Sequence, residues 1–240
     1  MTVIDLTRPL TDATVIALLG DSVAGAEWER YRRIEVEAHQ SLAYANSAIF
    51  RMSLADHVGT HVDAPSHIFA DGADAAALDI TRLCGDAVVL DLTSDDPDHG
   101  YTAEDLSSAT PQVRQGDIVL IYSGYQDCGA ADRIHQTYLT PSGAAWLVAT
   151  GVKAVGCEPG GIEHGWDGLH VKHWDDPVLG GADPWPAHRL LLRNDVYIIE
   201  GLTNLDRLAG QRVRFAAFPL PVPGLSGSPV RAVAWTGEEK

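Results

Sequence analysis

One short stretch constrains this chain more than any other: residues 55–69 read ADHVGTHVDAPSHIF. His57, His61, Asp63 and His67 bring three imidazoles and a carboxylate together within eleven residues. These groups are the preferred ligands of Zn²⁺ and related divalent ions. Because charged and imidazole groups crowded into an apolar loop need a partner, the pattern predicts a metal site.

The spacing of the first two histidines predicts a turn. A straight strand would separate His57 and His61 by about 13 Å, whereas one helical turn would leave about 5 to 6 Å between their Cβ atoms. We therefore expect one turn of helix there, eased by Gly59. Pro65 disfavours helical geometry at the preceding residue, so the chain should leave the turn extended and Asp63 should swing back as a third ligand.

Three ligands from one short loop leave coordination positions open, as catalytic metals require. His67 follows after a further bend, and three roles remain open for it: ligand, general base, or structural hydrogen-bonding residue. A second candidate carboxylate is Glu200, which ends the apolar run 196–199, where an unpaired charge would be costly. A buried acid at a strand end is a functional candidate.

The segment DHVGTHVDAPSH resembles the H-x-G-T-H-x-D-x-P-x-H signature of the metal-dependent cyclase-family hydrolases, which include bacterial kynurenine formamidase and isatin hydrolase. The similarity continues through VIDLTRPL, GDIVLIYSGY, HRLLL, IIEGLTNLD and SPVRAVA. The resemblance implies one α/β domain over residues 1–240, with a mixed β-sheet and flanking helices in a swivelling β/β/α fold. It also implies a homo-oligomer, dimer or tetramer.

The resemblance further implies a second metal position. In members like bacterial kynurenine formamidase, the histidine matching His188 and the glutamate matching Glu200 bind a second ion, with the aspartate matching Asp63 as the bridge. Other members hold a single ion, so the expectation is one or two Zn²⁺ or Mn²⁺ ions per chain. Residues 158–163, EPGGIE, replace the D-x-x-S-x-D of many members, and residues 11–19 replace a proline-rich turn. Both departures bear on the substrate.

The leading hypothesis is hydrolysis of an amide, N-formyl or cyclic amide bond by metal-activated water, with His67 or Glu200 moving protons. A metal-dependent cyclase or dehydratase acting on a polyketide-like substrate is the alternative, and a structural or inactive metal module is a third. The sequence contains no G-x-S-x-G, G-x-G-x-x-G or P-loop motif, which argues against serine-hydrolase and nucleotide-binding chemistry.

Composition narrows the partners to a small-molecule substrate. A formal net charge of −16 argues against nucleic acid and against an anionic membrane surface. Neither a signal peptide nor a membrane-spanning run is apparent, so a cytoplasmic location is expected. Cys84, Cys128 and Cys157 are widely spaced, which predicts reduced thiols.

Strand and helix signals alternate along the chain, which favours an α/β arrangement. Helices are expected at 102–109, 141–150, 186–193 and 203–208. Strands are expected at 3–7, 33–38, 47–54, 86–92, 117–122, 152–157, 196–200, 213–218 and 230–235. The second and third of these strands should pair and be half-buried. Residues 160–185 should form a long ordered loop whose tryptophans, Trp166, Trp174 and Trp185, either wall a pocket or pin the loop to the core.

Overall fold

A computed structural model describes residues 1–11, 34–96, 98–124, 137–158, 162–163 and 185–237. Within those residues the strands are β1 Thr2–Asp5, β2 Glu35–Gln40, β3 Ile49–Ser53, β4 His61–Asp63, β5 Cys84–Asp91, β6 Gly100–Tyr101, β7 Ile118–Tyr122, β8 Tyr138–Leu139, β9 Ala154–Cys157, β10 Tyr197–Glu200, β11 Arg212–Pro219 and β12 Gly227–Thr236. The α-helices are α1 Leu42–Ala45, α2 Ala103–Ser108, α3 Pro141–Thr150 and α4 Pro186–Arg193. Short 3₁₀ turns lie at Pro65–His67, Ala75–Ala77, Ile80–Arg82 and Leu205–Leu208.

Eight of the strands form one mixed sheet in the order β1-β12-β11-β5-β7-β9-β10-β4. Strands β5, β7, β9 and β10 are mutually parallel, and the other neighbours are antiparallel. The short strand β4 pairs with β10 on one side and with the beginning of β12 on the other, so the sheet closes on itself like a barrel. The expected single α/β domain with a mixed sheet is confirmed.

The central strands are buried on both faces, as their continuous apolar runs predict. One apolar cluster lies inside the curled sheet around Phe215, and a second packs helices α2, α3 and α4 against its outer face through Leu106, Leu147 and Leu191. Every residue from Ile118 to Ile121 is at most 2% exposed. Helices therefore cover one face and the barrel interior fills the other.

Local capping signals account for helices α2 and α3. Thr102 and Asp105 form a reciprocal capping box at the start of α2. At α3 the Thr140 side chain accepts from the Gly143 N–H, and Gly151 ends the helix in the left-handed conformation at φ 78°. The predicted 203–208 helix is a 3₁₀ turn over Leu205–Leu208.

Strands β2 and β3 pair antiparallel as expected, but the expectation that they are half-buried is wrong for the described residues. Val36 faces Met52 and Ala38 faces Phe50, so these four side chains share one apolar face of the hairpin. Val36, Phe50 and Met52 are 56–61% exposed. The hairpin thus keeps an amphipathic pattern whose apolar face no described residue covers.

Several expectations lie outside the described residues: the mixed stretch 12–29, Cys128, Trp166, Trp174 and most of the loop 160–185. Cys84 and Cys157 are free thiols, as predicted. Among the described residues, no helix is long and apolar enough to cross a membrane.

Candidate metal centre

Strand β4 places two of the predicted ligands on one face of the sheet. His61 and Asp63 are two residues apart in a strand, so both side chains point to the same side. Glu200, the last residue of β10, is paired with His61 in the register of the two strands. Its Oε2 atom lies 3.6 Å from His61 Nε2. The edge at which the barrel closes is therefore where imidazole and carboxylate meet.

The expectation of a helical turn between His57 and His61 is wrong. The chain bends between them, with Gly59 in the left-handed region at φ 64°, and His61 already belongs to β4. The two ring centroids lie 5.2 Å apart. Ala64 is extended at φ −95° and ψ 155° before Pro65, as expected. A bend followed by a strand thus achieves the proximity that a helical turn would give.

Asp63 lies at the centre of the cluster. Its Oδ1 atom is 2.8 Å from His57 Nδ1 and 3.4 Å from His61 Nε2, while Oδ2 is 3.3 Å from His188 Nε2. The carboxylate is 1% exposed, and neither oxygen meets hydrogen-bond geometry with any residue that the structure describes. A buried carboxylate without a hydrogen-bond donor is costly, and a cation between it and the facing nitrogens removes that cost.

Two ligand groups share this carboxylate. His57, His61 and Asp63 form the first group, and Asp63, His188 and Glu200 form the second; in each, the donor atoms lie within 4.8 Å of one another. Such separations suit an ion about 2.0 to 2.2 Å from each nitrogen or oxygen. The residues present therefore fit one or two divalent ions, with Asp63 common to both positions.

Hydrogen bonds hold two of the imidazoles in the orientation a ligand needs. His61 Nδ1 donates to the Gly59 carbonyl at 3.0 Å, and His188 Nδ1 lies 3.2 Å from Glu163 Oε1, which also accepts from the His188 backbone N–H at 2.8 Å. Each ring then directs Nε2 at Asp63. A metal-ligating histidine commonly donates its second N–H to a carbonyl or carboxylate in this way.

Glu200 is buried at the end of β10, as the cost argument predicts. One oxygen accepts from the Ile162 N–H at 2.8 Å and lies 3.5 Å from His188 Nε2. Among the described residues no arginine or lysine pairs with it. Trp185, just before α4, touches the His188 ring edge-on at a centroid distance of 5.4 Å.

His67 lies beside both ligand groups. It ends the 3₁₀ turn Pro65–His67 and is exposed. Its ring centroid is 4.0 Å from that of His57 and 5.9 Å from that of His188. Neither ligand group includes it. Partial desolvation and the positive charge of the neighbouring rings lower the pKa of His67 to about 4, against the attraction of Asp63.

Asp63 controls the electrostatics of the cluster. Burial alone would raise the pKa of Asp63, but the imidazoles of His188, His57 and His61 hold it well below its usual range. Burial would likewise lower the pKa of His61, yet Asp63 and Glu200 outweigh it and raise that pKa to about 9. The pKa of His188 is also raised, because Asp63, Glu163 and Glu200 outweigh its burial. In the metal-free protein the rings of His61 and His188 therefore tend to be protonated, and an ion that binds there must displace those protons.

The structure adds one carboxylate that the sequence pattern did not single out as functional. Glu163 is 5% exposed and contacts both the ring and the backbone of His188. Its position in the EPGGIE segment carried no ligand spacing that would mark it. Only its packing against α4 identifies it as a residue that orients His188.

The chain matches the family model described as putative cyclase over residues 4–164. It is 31% identical to isatin hydrolase of Roseibium aggregatum over 225 residues, which cover 83% of this chain and 81% of the relative. It is 29% identical to kynurenine formamidase of Salinibacter ruber, over 97% of each chain. Among solved structures, an isatin hydrolase bound to the product analogue thioisatinate aligns with a TM-score of 0.77 and 25% identity, over 98% of this chain and 92% of that one.

Proposed function

Since the chain belongs to the putative cyclase family, we propose that it is a metal-dependent hydrolase of an amide, N-formyl or cyclic amide bond. The relatives named isatin hydrolase and kynurenine formamidase support this reaction class. They also indicate the substrate class that we propose, an aryl N-formyl amine or an isatin-like cyclic amide rather than a peptide.

The observation that carries the proposal is the state of Asp63. Its two oxygens are buried, make no hydrogen bond among the described residues, and face nitrogens of three histidines at 2.8 to 3.4 Å. A buried carboxylate ringed by imidazole nitrogens, with neither oxygen in good hydrogen-bond geometry, suits a bound cation better than a purely structural role. From this arrangement we propose that Asp63 binds Zn²⁺ or Mn²⁺, one or two ions per chain, as imidazole and carboxylate donors without thiolate favour.

An ion held by these residues would lower the pKa of water towards about 7 and would polarise a carbonyl oxygen. We assign proton transfer to His67, because its exposed side chain belongs to neither ligand group and its ring centroid lies within 6 Å of those of His57 and His188. Glu200 is assigned to the second ligand group, and its carboxylate is held in place by the Ile162 N–H. Glu163 keeps His188 Nε2 directed at Asp63.

A hydrolysis screen tests the reaction class. Purified protein of known metal content is incubated with N-formyl aryl amines, isatins and small cyclic imides, and the release of formate or of a ring-opened carboxylate is measured. Turnover of either an N-formyl aryl amine or a cyclic amide supports the proposal. Ring closure or loss of water from a polyketide-like substrate, without any amide hydrolysis, would favour the cyclase or dehydratase alternative.

We also propose that the protein is a homo-oligomer in which the β2–β3 hairpin packs against a second copy. The apolar face of Val36, Ala38, Phe50 and Met52 is left uncovered by the described residues, and a lone two-stranded hairpin is marginally stable in water. Phe50→Ser should shift the assembly towards monomer in light scattering, whereas Arg51→Ser on the polar face should not. A monomeric wild-type protein at micromolar concentration would contradict the assembly.

A further inference from the structure

His57 is connected to a residue that the ligand pattern does not contain. Its Nε2 atom lies 2.9 Å from Ser226 Oγ, on the segment just before β12 and 169 residues further along the chain. Ser226 Oγ in turn donates to Asp56 Oδ2 at 2.9 Å. Asp56, Ser226 and His57 therefore form a continuous hydrogen-bonded relay that begins beside the first ligand group.

The direction of the hydrogen bonds determines which nitrogen of His57 carries a proton. The hydroxyl proton of Ser226 is directed at the Asp56 carboxylate, so the hydroxyl oxygen is left to accept from His57. The Nε2 atom of His57 must then be the protonated one. Nδ1, which lies 2.8 Å from Asp63 Oδ1, is then the nitrogen that would offer its lone pair to an ion bound beside Asp63.

The backbone holds the relay in place from three directions. The Ser226 N–H donates to the same Asp56 oxygen at 2.9 Å, and the Ser226 carbonyl accepts from the Ala64 N–H at 2.9 Å. The next residue, Gly227, is paired with Asp63 in the register of β4 and β12. A Cβ atom at Gly227 would lie 2.6 Å from His57 Cε1, so only glycine leaves room for the ring.

We propose that Asp56 and Ser226 are positioning residues that fix the tautomer and orientation of His57 and thereby set the metal affinity of the first ligand group. The inference rests on the metal centre of the proposed function. It extends that centre to residues that belong to neither ligand group. Since the relay reaches only His57, it should act on the first group and leave Asp63, His188 and Glu200 able to hold an ion.

The test is a metal titration of the metal-free, full-length protein. Zn²⁺ is added in competition with a chromophoric chelator, and the dissociation constants are fitted for wild type, Ser226→Ala, Asp56→Asn and Ser226→Thr. Loss of the Ser226 hydroxyl or of the Asp56 carboxylate should weaken the Zn²⁺ affinity of the first ligand group by about 10- to 100-fold. Ser226→Thr keeps the hydroxyl and should restore most of the affinity. The visible spectrum of bound Co²⁺ should change in Ser226→Ala, because the ring of His57 is no longer held.

Ser66→Ala is the matched control. Its hydroxyl is also buried close to the site, between Pro65 and His67, but it makes no hydrogen bond with a described residue. This variant should bind Zn²⁺ like wild type. Thermal unfolding of each metal-free variant separates a local effect from a loss of fold, and Asp56→Asn tests the relay independently if Ser226→Ala is unstable.

The outcomes separate the inference from the proposed function. If wild type binds Zn²⁺ but Ser226→Ala and Asp56→Asn keep all dissociation constants within about threefold of it, well below the expected effect, the relay has no positioning role. Equal weakening of both sites, or equal weakening in Ser66→Ala, also overturns the inference. If wild type itself takes up no ion, the proposed function fails and the inference fails with it.

Discussion

Replacing Asp63 by asparagine should weaken metal binding at both positions at once. Asp63 is the one residue common to the two ligand groups, and asparagine preserves its shape while removing its charge. The carboxylate is 1% exposed, and neither oxygen meets hydrogen-bond geometry with a described residue. Water therefore has little access to replace the lost carboxylate as a ligand of the ion. Variants of His57 or Glu200 should by contrast affect mainly their own group.

The magnitude follows from the burial of this charge. Removing one partner from a buried charge pair costs about 3 to 5 kcal/mol. At about 1.4 kcal/mol per factor of ten, the affinity for the ion should fall by about 100- to 4,000-fold. Isothermal calorimetry on metal-free protein, or competition with a chelator, measures this directly.

Asp117→Asn is the matched control for this experiment. Asp117 is similarly buried, at 4% exposure, but it accepts from the Arg114 N–H and pairs with Arg212 far from the cluster. The Asp117→Asn variant should have a lower free energy of unfolding but should bind metal with the affinity of wild type. If Asp63→Asn is folded and binds ions at both positions within about threefold of wild type, Asp63 is not a shared ligand and the two-group interpretation is refuted.

Three further results are expected. His67→Ala should keep the metal content of wild type and lower turnover by about 10²- to 10⁴-fold, since a proton-transfer group and not a ligand is removed; equal loss of metal, measured by plasma emission, would make His67 a ligand. Glu200→Gln should lose the ion of the second group while the first group still binds; unchanged metal content and turnover would make Glu200 structural. Burial, and the negative charge of Glu200 and Asp63, raise the pKa of the Cys157 thiol well above its usual range. Folded protein at pH 8 should therefore leave Cys157 unlabelled by iodoacetamide, with labelling only after unfolding, as peptide mass spectrometry would show.

Local signals made parts of the fold predictable. The α3 boundaries follow from Thr140, Pro141 and Gly151, because each acts on backbone groups within a few residues. The β2 and β3 strands follow from their period-two alternation. The same alternation did not reveal that the apolar face of this hairpin is uncovered, because exposure depends on what packs nearby and not on the strand itself.

Residue spacing alone predicted only the ligands that are close in sequence, whereas Glu200 was a candidate from its place at the end of an apolar run and His188 only through the family resemblance. His57, His61 and Asp63 stand within seven residues, but β4 is three residues long and its HVD sequence has no strand signature, so a helical turn was expected there. The contact between Ser226 and Asp56 did not follow from any sequence signal. Ser226 and Asp56 are separated by 170 residues, and their hydrogen bond arises from the closure of the barrel by β4 and β12.

The most direct test of the account is the dependence of amide hydrolysis on metal occupancy. Protein stripped with a chelator is titrated with Zn²⁺ or Mn²⁺ while hydrolysis of the best substrate from the screen is followed. The account predicts no turnover without metal. The rate should rise with metal occupancy and level off once ions occupy the positions formed by His57, His61, Asp63, His188 and Glu200. Full turnover in stripped protein that retains less than about 0.1 ion per chain would contradict it, because the proposed chemistry has no other source of an activated nucleophile.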